Sequence, residues 1–336
     1  MKDDFKKSLL SSIKQCGINE YIEVYPYKKE ILQDKRNHFL VMMKPEVVDF
    51  NNNVHVDAII DEIENAFERF NVNITACYVA GGKFIRNHSL MEKQYSMLNR
   101  GSHTGLKSFT PEFAKYVEQN YEGRKILGAY EFVNEFPEYT VEKLEKISHE
   151  IGSKKVGNGL YLLELNYRGN RYGIINAFHP HQLEHFNNDQ SKMVFLECAA
   201  DAEYEILAQE VIGFFDPSRA MEGSLRNIIY KKREQLNISE VGIFYNGFHI
   251  SPSPLEGMFA TLRYSSIFGG NIDIEDIPIG KKLLDYGFSK RQIVEFQRNP
   301  YLIKDNQWKS LFDIAEGENE EYIIEFIKQN HEQLCY

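Results

Sequence analysis

The four cysteines of this chain, Cys16, Cys77, Cys198 and Cys335, stand far apart with no C-x-x-C pair. That scatter argues against a disulfide framework or a thiolate zinc cluster, and a reducing cytoplasm is the expected setting. No run approaches the ~20 apolar residues needed to span a bilayer. Residues 1–7 carry acids with no apolar segment behind them, so no secretory leader is expected. Positive charge is in deficit: 39 Lys and Arg against 49 Asp and Glu leave a formal charge of −10. This balance speaks against broad electrostatic binding to nucleic acid, while a local basic pocket stays compatible with it. Internal repeats and low-complexity tracts are also missing. What is there suits a globular protein. With 336 residues, 43% apolar and 13% aromatic, the chain can bury a sizeable core in one large domain or two ordinary ones.

Residues 1–36 read as helical at first, then mixed and polar, and form an N-terminal extension. The first core strand is 39–43, ending at Lys44-Pro45. The helix after it carries Ile59, Ile60, Ile63, Ala66, Phe67 and Phe70 on one face. A second strand over 73–80 stops at Gly81-Gly82, and 89–98 is helical, with Leu90, Met91, Gln94, Tyr95 and Leu98 spaced for contact. Residues 100–190 read as an insertion with helices over 111–119 and 141–151. A hairpin follows, 160–165 with 172–178, joined through Arg168-Gly169-Asn170. A strand over 193–199 returns the chain to the core, and a helix over 201–213 exits at Phe215-Asp216-Pro217. The apolar run 241–244 climbs as a strand toward His249, and a helix covers 254–266. Residues 271–336 are acidic and helical by periodicity, a C-terminal extension to a domain spanning 37–270. Without the insertion the order is β-α-β-α, then β-α, a long loop, and β-α. Such short alternating elements suit an α+β sandwich, with helices on an antiparallel sheet. The crossover lengths leave a parallel sheet open.

His249 is the candidate centre of chemistry. It lies between a buried strand and a helix start, where backbone donors and the helix dipole suit phosphate. Neutral imidazole is a nucleophile at physiological pH, and phosphoryl groups are among its electrophiles. Two further segments align with it. One is Lys44-Pro45 at the end of the first core strand. The other is the loop from Gly213 to Arg226, Gly-Phe-Phe-Asp-Pro-Ser-Arg-Ala-Met-Glu-Gly-Ser-Leu-Arg.

Together with Asn246-Gly247-Phe248-His249-Ile250-Ser251-Pro252-Ser253, these segments resemble the nucleoside diphosphate kinase family. That family shares a strand ending in Lys-Pro, a G-x-x-[ND]-P…G-[TS]-[IL]-R loop and an N-x-x-H-x-S-x-S strand end, in this order. Tyr95 matches a further family tyrosine beside the histidine. The resemblance covers residues 38–98 and 192–268, less than half the chain. It implies a ferredoxin-like α+β sandwich with an antiparallel sheet, carrying here a large insertion and a helical extension. It also implies a magnesium-dependent phosphotransferase that moves the γ-phosphate of a nucleoside triphosphate to a nucleoside diphosphate. The transfer is ping-pong, through phosphorylated His249. Lys44 and Arg226 would bind phosphates, Asn246 would contact ribose or phosphate, and Ser251 would sit near the imidazole. The residue types agree, because phosphoryl transfer needs placement and charge neutralisation, which a lysine point charge and a planar arginine fork supply. Implied partners are nucleoside di- and triphosphates, with no nucleic acid or membrane; a homo-oligomer stays open, and the family's usual hexamer is not carried over.

Each residue also has a plainer reading. Asn246-Gly247 is a hairpin-turn signal, Ser251 and Ser253 are potential helix caps, Lys44 a solvated strand end, and Arg226 a partner for Glu222. His179, His181 and His185 contain an i,i+4 pair that a metal can use, but the expectation is packing, with no protein-held metal. Two positions depart from the family pattern: Gln209 replaces a phosphate-contacting arginine, and Phe215 a phosphate-contacting threonine. Lys231, Lys232 or Arg233 are candidates to compensate. Phe109, Phe113, Tyr116 and Phe178 are candidates for the aromatic that stacks on the base. The departures keep a second class in play, a nucleotide-binding regulatory module with little turnover, and below it a nucleotide hydrolase.

Overall fold

The computed structural model describes residues 2–32, 35–107, 109–304 and 307–334. A helix, Lys2–Gln15, leads into strand β1 (Tyr21–Tyr25). Strands β2 (Asn37–Met43) and β3 (Asn73–Gly81) flank the amphipathic helix Val56–Arg69. The long segment that follows contains β4 (Lys125–Gly128), β5 (Lys154–Gly157), β6 (Leu160–Tyr167) and β7 (Asn170–Ile175). Strand β8 (Lys192–Ala200) rejoins the core, and β9 (Phe248–Ile250) precedes the helix Pro254–Ile267. Helices with one hairpin, β10 (Tyr301–Lys304) and β11 (Gln307–Ser310), complete the chain.

The main sheet has the order β1-β3-β8-β2-β9, and every neighbouring pair is antiparallel. β2 and β8 take the interior because they are apolar on both faces, as a strand covered on both sides must be. Alternation sorts their side chains. Phe39, Val41 and Met43 join Val194, Leu196 and Cys198 under Ile59, Ile63 and Phe67 of the helix Val56–Arg69. Leu40 and Met42 face the other way, with Phe195, Ala260 and Tyr264. Helices therefore cover both faces, and the sandwich has three layers. The four-stranded sheet of the insertion has the order β4-β7-β6-β5, antiparallel except for the parallel pair β4 and β7. Its hairpin turns at Arg168 (φ 49°) and Gly169 (φ 76°), the two positive φ values that a tight right-twisted hairpin requires.

Several elements differ from the sequence expectation. The N-terminal residues are not a loose extension: Leu9 and Ile13 enter the main core, and β1 adds an edge strand beside β3. The helix expected over 89–98 breaks at Tyr95 into Leu90–Gln94 and Ser96–Thr104. The segment 201–213 passes from a single α-turn, Tyr204–Ile206, into a π-helix, Leu207–Ile212, which Gly213 ends with φ 101°. Residues 241–244 are a loop, not a strand. The chain turns at Gly247 (φ 75°), so ladder pairing starts only at Phe248. The C-terminal region expected to be helical holds the β10–β11 hairpin. Cys16, Cys77 and Cys198 are buried free thiols, and Cys335 lies outside the described residues. Among the described residues no helix is long and apolar enough to cross a membrane.

Candidate functional site

β9 is short, but its pairing places the chemistry. His249 lies opposite Met42 and Phe248 opposite Met43. Lys44, one residue beyond β2, donates its backbone N–H to Gly247 O at 2.9 Å. Its Nζ donates to Asn246 Oδ1 at 2.7 Å. The Asn246 amide in turn donates to the carbonyls of Phe215 at 3.0 Å and Ile243 at 3.1 Å. One asparagine thus ties the strand-end lysine to two loops. Lys44 is only 4% exposed. Burial lowers its pKa to about 8, with Glu46 opposing and Arg226 assisting the shift.

Glu46 holds the turn before His249. Its Oε1 accepts the Gly247 N–H at 2.8 Å, and its Oε2 lies 3.0 Å from His185 Nε2. Burial raises the Glu46 carboxyl pKa, but the His185 hydrogen bond and the Lys44 charge outweigh it, and the group ends below the ordinary carboxylate range.

The imidazole of His249 is partly exposed. Tyr95 Oη lies 3.4 Å from its Nδ1, and the two rings meet edge to face. The amide nitrogen of Gln94 lies 3.1 Å from Nε2. Gln94 Oε1 accepts from Arg263 Nη1 and from the Tyr264 hydroxyl, each at 2.9 Å. Burial, then the charges of Lys44, Arg226 and Arg263, hold the His249 pKa well below the usual imidazole range. The ring is therefore neutral at physiological pH, the form that has a nucleophilic lone pair.

Arg226 and Ser251 are engaged differently from the expectation. The two Nη groups of Arg226 donate to Gly213 O and Phe248 O, each at 2.7 Å, while its buried Nε–H has no partner. The guanidinium thus clamps the exit of the π-helix to the strand carrying His249. Burial lowers its pKa to about 10, so it stays charged. Ser251 is fully buried, and its Oγ accepts the Leu40 N–H at 3.1 Å. Its own N–H donates to Leu40 O at 2.9 Å, and its carbonyl accepts from Tyr204 Oη. Ser251 continues the strand pairing past β9 and has its hydroxyl on backbone, not on the imidazole.

The surroundings sort the remaining candidates. Phe215 (51% exposed) and Ile243 (39%) form an apolar rim beside Asn246. Phe244 stacks on Phe178 with centroids 5.2 Å apart, which brings Phe178 to this rim. Phe113 packs in the insertion core against Phe109 and Tyr301, and Tyr116 lines a separate cleft of about 500 Å³. Gln209 points outward, and Lys231, Lys232 and Arg233 pair with Glu222, Glu62 and Glu234. The histidines of the 179–185 cluster separate: His181 pairs with Glu145, His185 with Glu46, and His179 is buried with its ring edge to face against Tyr95. Among the described residues no group of three or more His, Cys, Asp or Glu is placed to hold a metal ion.

Lys44, Tyr95, Arg226 and the pair Asn246 and His249 therefore converge from four separate stretches of chain. Glu46, Arg263 and the hydrogen-bonding role of Gln94 escaped the sequence reading, and His185 entered it only as part of a histidine cluster read as packing or as an insert surface over the site. Gln94 entered it only as a helix contact position adjoining Tyr95, which was the one available signal. No family model matches the chain, and a search of curated proteins finds no match.

Proposed function

We propose that this chain is a phosphotransferase of the nucleoside diphosphate kinase type, with His249 as the group that carries the phosphoryl. The observation that carries this reading is a neutral imidazole set among Lys44, Arg226 and Arg263 at one strand end. A lone pair and a cluster of positive charge are what in-line transfer of an anionic group requires. The strand arrangement supports it. With β1 and the insertion set aside, β3-β8-β2-β9 is the antiparallel order expected of a ferredoxin-like sandwich. Lys44 supplies a point charge to the phosphates and Asn246 fixes its position. Magnesium enters with the nucleotide as part of the substrate, held by the phosphate oxygens. One nucleotide charges the histidine, departs as a diphosphate, and a second diphosphate discharges it.

One observation favours a second reading. Both Nη groups of Arg226 already donate to backbone carbonyls, which takes two of its five N–H donors and fixes the fork on the backbone instead of leaving it free to chelate a phosphate. Beside an exposed Phe215, that describes a nucleotide-binding module with slow turnover. Incubation with γ-labelled ATP and magnesium separates the two. A transferase takes up acid-labile, alkali-stable label that an added diphosphate removes, and His249→Ala takes up none. Nucleotide binding that survives His249→Ala, with no label on the parent protein, leaves the module.

A further inference from the structure

The insertion reaches the strand end through one side chain. His185 stands on the helix His179–Phe186, the last element before the chain returns to β8. Its Nε2 lies 3.0 Å from Glu46 Oε2, while Glu46 Oε1 accepts the Gly247 N–H at 2.8 Å. Burial works against the charge on Glu46, but the His185 bond and the Lys44 cation keep the carboxyl ionised. An ionised carboxylate only accepts, so His185 Nε2 is the donor. The same ring meets Tyr245 edge to face, with centroids 5.0 Å apart, just ahead of Asn246 and Gly247. The Gly247 carbonyl in turn accepts the Lys44 N–H, and Lys44 Nζ donates to Asn246. One line of bonds thus runs from the insertion to the lysine and to the turn that delivers His249.

Glu46 also has an alternative to this arrangement. Its side chain is only 8% exposed, yet together with His185 and Tyr245 it borders a cleft of about 680 Å³. A buried carboxylate that loses its donor regains hydration by turning into that cleft, and in doing so it abandons Gly247. From this geometry we infer that His185 is a positioning residue: as a hydrogen-bond donor it keeps the Glu46 carboxylate on the Gly247 N–H, and so sets the turn that presents His249 beside Lys44. The inference deepens the phosphotransferase reading and rests on it only for the effect on transfer. The hold on Glu46 is a property of the protein without substrate.

The test pairs two variants. His185→Phe keeps a ring against Tyr245 but has no donor. His185→Gln gives up the ring and keeps an amide N–H as far from Cβ as the imidazole's own. In protein without nucleotide, amide hydrogen exchange at Gly247 is expected to quicken about tenfold in His185→Phe, the loss of one hydrogen bond. It should match the parent in His185→Gln. The Lys44 titration, followed by its side-chain ¹³C shift, gives a second reading. Burial and Arg226 lower that pKa and Glu46 raises it, so it should move to lower pH in His185→Phe and stay at the parent value in His185→Gln. If the ring acted only by packing, the phenylalanine would preserve both readings and the glutamine would disturb them. That pattern, or parental exchange and titration in both variants, overturns the inference. Label uptake from γ-labelled ATP should slow about tenfold in His185→Phe and recover in His185→Gln. A parent protein that takes up no label sinks the phosphotransferase, while exchange and titration still decide the role of His185.

Discussion

Among the side chains at the site, Lys44 has its charge change brought by burial into an experimentally convenient pH range. Its pKa, lowered by burial to about 8, leaves it charged at pH 7 and neutral at pH 9. Under the proposed function the phosphates of a nucleotide would meet this cation. Nucleotide affinity should therefore hold below pH 7.5 and fall about tenfold between pH 8 and 9.5, as the charged fraction falls. Isothermal titration across that range checks it, with Lys44→Met expected to bind weakly and without the step. The stability linkage has the opposite sign. A lysine with a depressed folded pKa contributes fully above its ordinary value of 10.5, and that contribution is lost as pH falls to about 8. Loss of binding on raising the pH is thus not caused by Lys44 unfolding the protein. At this scale, the meeting of Lys44, Asn246 and His249 was legible because each sits at a strand end whose order along the chain could be read. The bonding of Arg226 was not legible. Its acceptors are backbone carbonyls of Gly213 and Phe248, and no residue identity announces which carbonyl a fold will present.

The element that sets the far wall of the site is the helix Pro254–Ile267, which delivers Arg263 and Tyr264 to Gln94. Its N-terminus was readable from Ser253 and Pro254, and Ser253 Oγ does accept the Glu256 N–H. Its closeness to the sheet was not, because that depends on Gly257. A Cβ there would lie 2.6 Å from His38 O and 3.0 Å from Phe39 Cα, both backbone atoms of β2. Neither can yield without moving the strand. Gly257→Ala should cost about 1–3 kcal/mol and, by tilting the helix, weaken the Arg263–Gln94 contact. Gly242 gives the control, since a Cβ there meets nothing within 4 Å and its φ is not positive. Gly242→Ala should leave the unfolding midpoint within a degree or so, a change of a few tenths of a kcal/mol. Equal midpoints for the two variants in thermal melts would refute the close-packing argument. β2, β3 and β8 were readable for a simpler reason: long apolar runs buried on both faces announce interior strands. The run at 241–244 is short and apolar too, but the chain turns at Gly247 before pairing begins, and the run contributes no rung to the sheet.

Over the whole molecule, the C-terminal residues share a core with the site's own helix. Leu255, Met258 and Phe259 pack with Ile277, Leu283, Phe296, Ile324 and Ile327. Polar contacts join the same bodies: the Asn37 amide donates to Asn319 Oδ1 at 3.0 Å, and that oxygen also accepts the Tyr204 N–H at 2.9 Å. Asn37 opens β2, and Tyr204 begins the turn that leads to the π-helix, so the tail is fastened to the start of β2 and to the approach to the π-helix. A chain cut after residue 270 would expose three large apolar side chains, each worth about 1.5–3 kcal/mol when buried, on the helix that holds Arg263. Such a chain should be recovered mainly as aggregate, and any soluble fraction should melt well below the full protein. Asn319→Ala tests the fastening without removing the core. Losing the cap on Tyr204 and the bond to Asn37 should cost about 1–3 kcal/mol, while leaving the protein monodisperse by size-exclusion chromatography. A truncated chain that stays soluble and melts with the full protein would show that the tail is an independent appendage. The opposite result makes residues 271–334 part of the wall that positions His249, which no periodicity in that acidic sequence could have indicated.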